Sequence, residues 1–90
     1  MNKADIKQGS KQHRRYEQLR RMLVLCDYLR SRRFPVGPSI AHLELVQSSG
    51  IPWSLRTVRR DLDFLVDIGW CMRDGGTRHD PATYIWSKKE

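Results

Sequence analysis

Acidic side chains are in short supply in this chain: ten aspartates and glutamates stand against seventeen lysines and arginines in 90 residues. The resulting net charge of +7 and isoelectric point near 10.0 exclude a protein built to gather cations. They imply an anionic partner, because such a field attracts phosphates before any specific contact forms. Cysteine is almost as scarce. Cys26 and Cys71 form no Cys-x-x-Cys pair, and neither lies near a histidine at metal-ligand spacing, which excludes a disulfide framework and a zinc site. Both sit among apolar neighbours and are expected to be reduced, buried, small hydrophobes of a cytosolic protein. No apolar run approaches the length of a membrane span, and no hydrophobic leader stands at the N-terminus, so a cytoplasmic protein without membrane contact is expected. A glycine-rich phosphate loop and a serine or cysteine beside an evident base are also missing. The chain is therefore expected to be neither an enzyme nor the holder of a cofactor or metal. His13 and His42 stand alone and are read as structural or solvated.

What remains suits one small folded domain, with 39% apolar and 30% charged residues, enough for a modest core. Residues 1–12 are polar, with Lys3, Lys7 and Lys11 and only Ile6 to bury. They read as a basic, flexible arm, either without a role or touching phosphates or a minor groove. A folded domain over 13–88 follows. From His13 to about Arg32 the spacing of Leu19, Met22, Leu23, Cys26 and Leu29 predicts one apolar helical stripe, with Arg30, Arg32 and Arg33 at the end where the helix dipole favours cations. Phe34-Pro35-Val36-Gly37-Pro38 breaks that helix, with room for a very short strand at Val36. A second helix is expected from a Ser39 cap through Ile40 to about Gln47, with Ile40, Leu43 and Val46 inward.

The most informative stretch is Ser54-Leu-Arg-Thr-Val-Arg-Arg-Asp-Leu-Asp-Phe-Leu-Val-Asp-Ile-Gly69. Ser54 is placed to cap a third helix and Gly69 to stop it, while Leu55, Val58, Leu62, Leu65 and Val66 form an apolar stripe. After the glycine the periodicity changes. Residues 70–74 and 83–87 are short runs rich in aromatic and β-branched residues, and the glycine-containing loop between them predicts a hairpin. The order of elements predicts an α+β fold of the winged helix-turn-helix type, three helices followed by a two-stranded β-hairpin wing.

The series Ser54, Arg56-Thr57-Val58, Arg60-Asp61-Leu62, Leu65 and Gly69 resembles the recognition-helix signature of the DeoR-type and WYL-type bacterial transcriptional regulators. The resemblance covers about Arg14 to Lys88 in layout and is dense from Ser54 to Gly69. It implies a third helix that enters a DNA major groove and a wing that follows it. The sequence departs from that pattern in the long interval from Ala41 to Ser54, which calls for a longer second helix or a looser turn. It also ends at Glu90, shortly after the wing, where those regulators usually continue into a ligand-sensing domain. The DNA-reading part is expected to carry over and a small-molecule effector is not.

On a helix, the apolar stripe leaves Arg56, Thr57 and Arg60 on the opposite face. Arginine grips guanine bidentately, and threonine offers a hydroxyl to a base or phosphate and a methyl to thymine. Arg56 and Arg60 are assigned to base edges, Thr57 to a base or phosphate, Arg59 to a phosphate, and Ser54 to the same helix start. The competing assignment is a solvated face on which Arg59 pairs with Asp63, one turn on. Asp61 is expected to orient Arg60 or an arginine of the first helix. Phe64 falls off the core stripe and is expected to be covered by the wing or the first helix, or else to contact a second copy. In the wing, Thr77, Arg78 and His79 are candidate contacts to the backbone or minor groove. Trp53, Trp70, Tyr84 and Trp86 are expected mostly in the core. Double-stranded DNA is thus the expected partner of a small transcriptional regulator, activator or repressor, of bacterial or phage type. A homodimer through the first helix or a partner protein would extend its reading. A protein-docking module is the alternative.

Overall fold

The computed structural model describes the backbone of residues 3–78 and 81–89 and the side chains from Arg14 onward within that range. Three helices come first, α1 (Lys3–Ser31), α2 (Pro38–Ser49) and α3 (Leu55–Asp67), and two strands follow, β1 (Cys71–Asp74) and β2 (Thr83–Trp86). This is the expected α+β winged-helix layout. Among the described residues no helix is long and apolar enough to cross a membrane.

Residues 3–12, read from their polarity as an arm, have the backbone of a helix continuous with α1. Polarity does not oppose this, since alanine, lysine and glutamine are good helix formers. The expected start at His13 is therefore corrected to Lys3. The face that α1 buries also differs from the expected stripe. Leu29 is fully buried and Met22 and Cys26 pack against the core as expected, but Leu19 and Leu23 stand in solvent and Leu25 is buried in their stead. Met22-Leu-Val-Leu-Cys26 is apolar on every side of one turn, so its periodicity alone does not select a face. Contacts with α2 and β2 make the selection.

The second helix begins earlier than its serine indicates. Gly37 is the N-cap in extended geometry, without a side-chain cap, and Pro38 occupies the first turn. Proline suits that turn because its fixed φ is helical and the amide it lacks would have had no partner there. Ala41 and Leu45 are the buried pair, whereas Ile40 and Leu43, expected inward, are exposed. The long interval before Ser54 is resolved by extending α2 to Ser49. There Gly50 closes the helix at φ +70°, its amide donating to the Val46 carbonyl. The Ser49 hydroxyl donates to the Leu45 carbonyl and accepts from the Ile51 amide and the Trp53 indole. His42 meets the Trp53 carbonyl at 2.8 Å, a structural role for this histidine. Trp53 is thereby held buried at the foot of α3.

The third helix agrees closely with its sequence signals. Ser54 caps it, Oγ accepting from the Thr57 amide at 3.1 Å. Val58, Leu62 and Leu65 are buried, with Val66 packed beside them. Gly69 adopts φ +81°, and the Gly69 and Trp70 amides donate to the Val66 and Leu65 carbonyls, the paired bonds of a glycine stop. Phe64 is half exposed, so the cover expected for it is partial. The strands pair antiparallel, with Arg73 opposite Tyr84 and Cys71 opposite Trp86. Val36 adds a rung on the far side of β2 through reciprocal 2.9 Å bonds with Tyr84, as the break after α1 anticipated. Trp70 and Trp86 pack edge to face at 5.9 Å, and the Lys88 ammonium lies 3.8 Å above the Trp70 ring.

Cys26 and Cys71 are free thiols. Burial among apolar groups, with a smaller contribution from Cys26, pushes the Cys71 thiol from 9.0 up to about 11. The folded state therefore holds a proton that the unfolded chain releases first. This contribution to stability is complete below pH 9.0 and lost as the pH rises towards about 11. Thermal melts between pH 8 and 10 are expected to show a falling midpoint, with a shallower fall in Cys71→Ala. Urea unfolding is expected to give a loss of about 1 kcal/mol for Ser54→Ala and about 2–5 kcal/mol for Leu62→Ala.

Candidate nucleic-acid interface

The first turns of α3 carry three arginines, and their availability depends on where the nearby carboxylates go. Asp61 is buried and receives the Arg21 Nε of α1 at 2.8 Å. This is the pairing with a first-helix arginine that the sequence allowed. Asp63 turns to the wing, where its Oδ1 accepts from the Tyr84 hydroxyl at 2.7 Å and from Arg73 at 3.2 Å. Burial, aided by the neighbouring Asp63 carboxylate, raises the Tyr84 pKa above 10.0, so the phenol remains a donor. The expected competitor, an Arg59–Asp63 pair along the helix, is not formed. Arg56, Arg59 and Arg60 are exposed and have no ion pair among the described residues.

The arginines do not all face one feature. Arg59 borders a surface cleft between α3, the start of α2 and the wing, together with Arg73, Thr77 and the Pro38–Ile40 turn. The first turn of α2 contains no acidic residue, and its leading amides have no partner within the helix. Asp63 lines the same cleft and engages Arg73, so positive potential reaches it chiefly from the helix end and from Arg59. Arg60 opens on the other side, onto a cleft with Arg14, Gln18 and Arg21 of α1, beside Glu17. Arg56 projects between them from the leading turn.

Thr57 is half buried, and its Oγ1 accepts a hydrogen bond from the Ser54 hydroxyl at 2.8 Å. The Ser54 proton and one of its lone pairs are thus engaged in the cap, whereas the Thr57 hydroxyl keeps its own proton to donate. Thr77 and Arg78 are exposed in the wing loop, which leaves β1 through Gly75 and Gly76 at φ +80° and +95°. His79 lies outside the described residues. Among those described, no cluster of three histidine, cysteine or acidic groups could hold a metal ion.

Two candidates escaped the sequence reading. Arg73 was legible in principle, since alternation along β1 places it on the same side as the buried Cys71. Arg14 carried no signal, because its approach to Arg60 depends on how α1 crosses α3.

The fold and its exposed cationic face define a basic winged helix-turn-helix domain. Among known proteins, no family model matches the chain and no curated protein matches it.

Because Arg21 and Asp61 are both largely buried, removing one partner leaves an uncompensated charge. Asp61→Ala is expected to lower stability by on the order of 3 kcal/mol in urea titrations. The joint replacement Arg21→Met with Asp61→Leu is expected to recover most of that loss.

Proposed function

We propose that the protein binds double-stranded DNA sequence-specifically, with α3 in the major groove and the wing against the backbone or minor groove. The carrying observation is the division of charge on α3. Its structural acids are bound to α1 and the wing, while Arg56, Arg59 and Arg60 face solvent unpaired. Guanidinium groups on the leading turns of an exposed helix match guanine edges and phosphates in geometry and charge.

In this reading Arg56 and Arg60 reach base edges and Thr57 donates to a base or phosphate. Arg59 and the start of α2 receive a phosphate in their shared cleft, where Asp63 is held by Arg73 and Tyr84, and Thr77, Arg78 and His79 follow the backbone. Ser54 acts chiefly by holding Thr57. The resemblance to DeoR-type and WYL-type regulators supports the same placement and a role in transcription, as an activator or a repressor working in the cytoplasm on the nucleoid. One helix covers few base pairs, so useful specificity calls for a second reader, either another copy or a partner protein.

The test is fluorescence anisotropy on labelled duplexes selected from a random pool, repeated across salt concentrations. A steep fall of affinity with salt is expected. Arg56→Ala and Arg60→Ala are each expected to cost about 1–3 kcal/mol on the selected site and to relax its sequence preference. Arg59→Ala is expected to weaken all duplexes alike and reduce the salt slope by about one. If no sequence is enriched and none of the three variants alters retention, the domain is a protein-docking module and this reading fails.

A further inference from the structure

One surface has no place in DNA binding. On α1, Tyr16, Leu19 and Leu23 are 67%, 60% and 61% exposed. Their spacings of three and four residues put them in a single row along the helix. The row lies away from Leu25 and Leu29, which α1 turns into the core, and is left largely uncovered among the described residues. An aromatic ring and two leucines left in water on one stripe are unfavourable for a monomer unless something docks there. A row of this spacing fits the apolar seam of another helix.

Charge decides which helix. At about 100° per residue, Arg15 and Arg20 flank the row on opposite sides. Both are exposed and neither has an ion pair among the described residues. Asp27, the acid that follows on this face, already pairs with Arg30 at 3.6 Å. A second copy would bring another chain of net charge +7 against this face, a repulsion that the already paired Asp27 does little to offset. DNA would neutralise the arginines but gains nothing from three apolar side chains. A helix with an apolar seam edged by carboxylates satisfies both features.

We infer that the outer face of α1, the Tyr16–Leu19–Leu23 row between Arg15 and Arg20, docks an acidic amphipathic helix of another protein. The seam buries the row, and glutamates or aspartates on its edges meet the two arginines. The surface is separate from Arg56, Arg59 and Arg60, so DNA and partner can be bound together. This supplies the second reader by heterologous contact.

The probe is a labelled heptad peptide with leucine at its seam positions and glutamate along both edges, titrated with the full chain. Saturable binding that weakens with salt is expected, and a matched leucine/lysine peptide is expected not to bind. Leu19→Asp and Leu23→Asp are expected to weaken binding at least about tenfold. Arg15→Ala with Arg20→Ala should weaken it and flatten its salt dependence. All four residues are exposed, so melting temperatures are expected to stay near the parent's, and Arg56→Ala is expected to bind the peptide normally. The inference is overturned if the glutamate peptide does not bind, or binds Leu19→Asp and Leu23→Asp as tightly as the parent. It is also overturned if the parent sediments as a dimer that Leu23→Asp dissociates, because a second copy then occupies the row.

Discussion

The fold and its exposed chemistry both depend on where two carboxylates of α3 are directed. Asp61 points inward to Arg21 and Asp63 points to Tyr84 and Arg73. Each bond joins α3 to a different neighbour, and together they fix its rotation about its own axis. The same bonds remove the acids that could have neutralised Arg59 and Arg60 along the helix. A helix tuned for its own stability would place acids at its N-terminal end and bases at its C-terminal end, whereas here the arginines lead. The order becomes tolerable because the acids have partners outside the helix. The Asp61–Arg21 bond, largely withdrawn from water, depends on both members being present. The Asp63–Arg73 contact is more exposed and contributes little alone. Its weight comes from the Tyr84 hydroxyl, which would otherwise be a buried donor without an acceptor.

Tyr84 is the junction of the molecule. Its backbone forms the rung with Val36, its place in β2 sets it opposite Arg73, and its hydroxyl reaches Asp63. One residue therefore joins the linker after α1, the wing and α3. Trp53 has a comparable part below α3, with Ser49 and His42 holding it. These two buried aromatic residues belong to one small core with Leu25, Leu29, Leu45, Leu62 and Leu65.

The legible parts of the sequence were those where one residue type has one physical use. Ser54 before a periodic run and Gly69 after it located α3, and the change of period after Gly69 located the hairpin. The Pro-Val-Gly-Pro break located the rung at Val36. Legibility failed where several faces were equally apolar. Met22 to Cys26 allowed α1 to bury either of two stripes, and the run from Ile40 to Val46 offered α2 the same choice. Small Ala41 permits a close approach that an isoleucine would block, which periodicity does not register. The start of α2 was misplaced because Ser39 is a good cap in isolation while Gly37-Pro38 is a better entry after a forced break. For the candidate site, the exposed arginines were visible in the spacing. The destination of Asp63 and the approach of Arg14 to Arg60 were not, because both depend on contacts between distant parts of the chain.

The junction at Tyr84 has a consequence for how such a domain meets its target. Linker, wing and α3 share one anchored ring, so the angle between wing and helix is tied to the bonds that this residue makes. Should α3 enter a groove as proposed, a wing so tied would leave adaptation to the duplex, whose bending energy varies with base sequence. On the proposed DNA target, preference would then extend to steps that no side chain touches, favouring pliable pyrimidine–purine junctions wherever the groove must open to admit both parts at once.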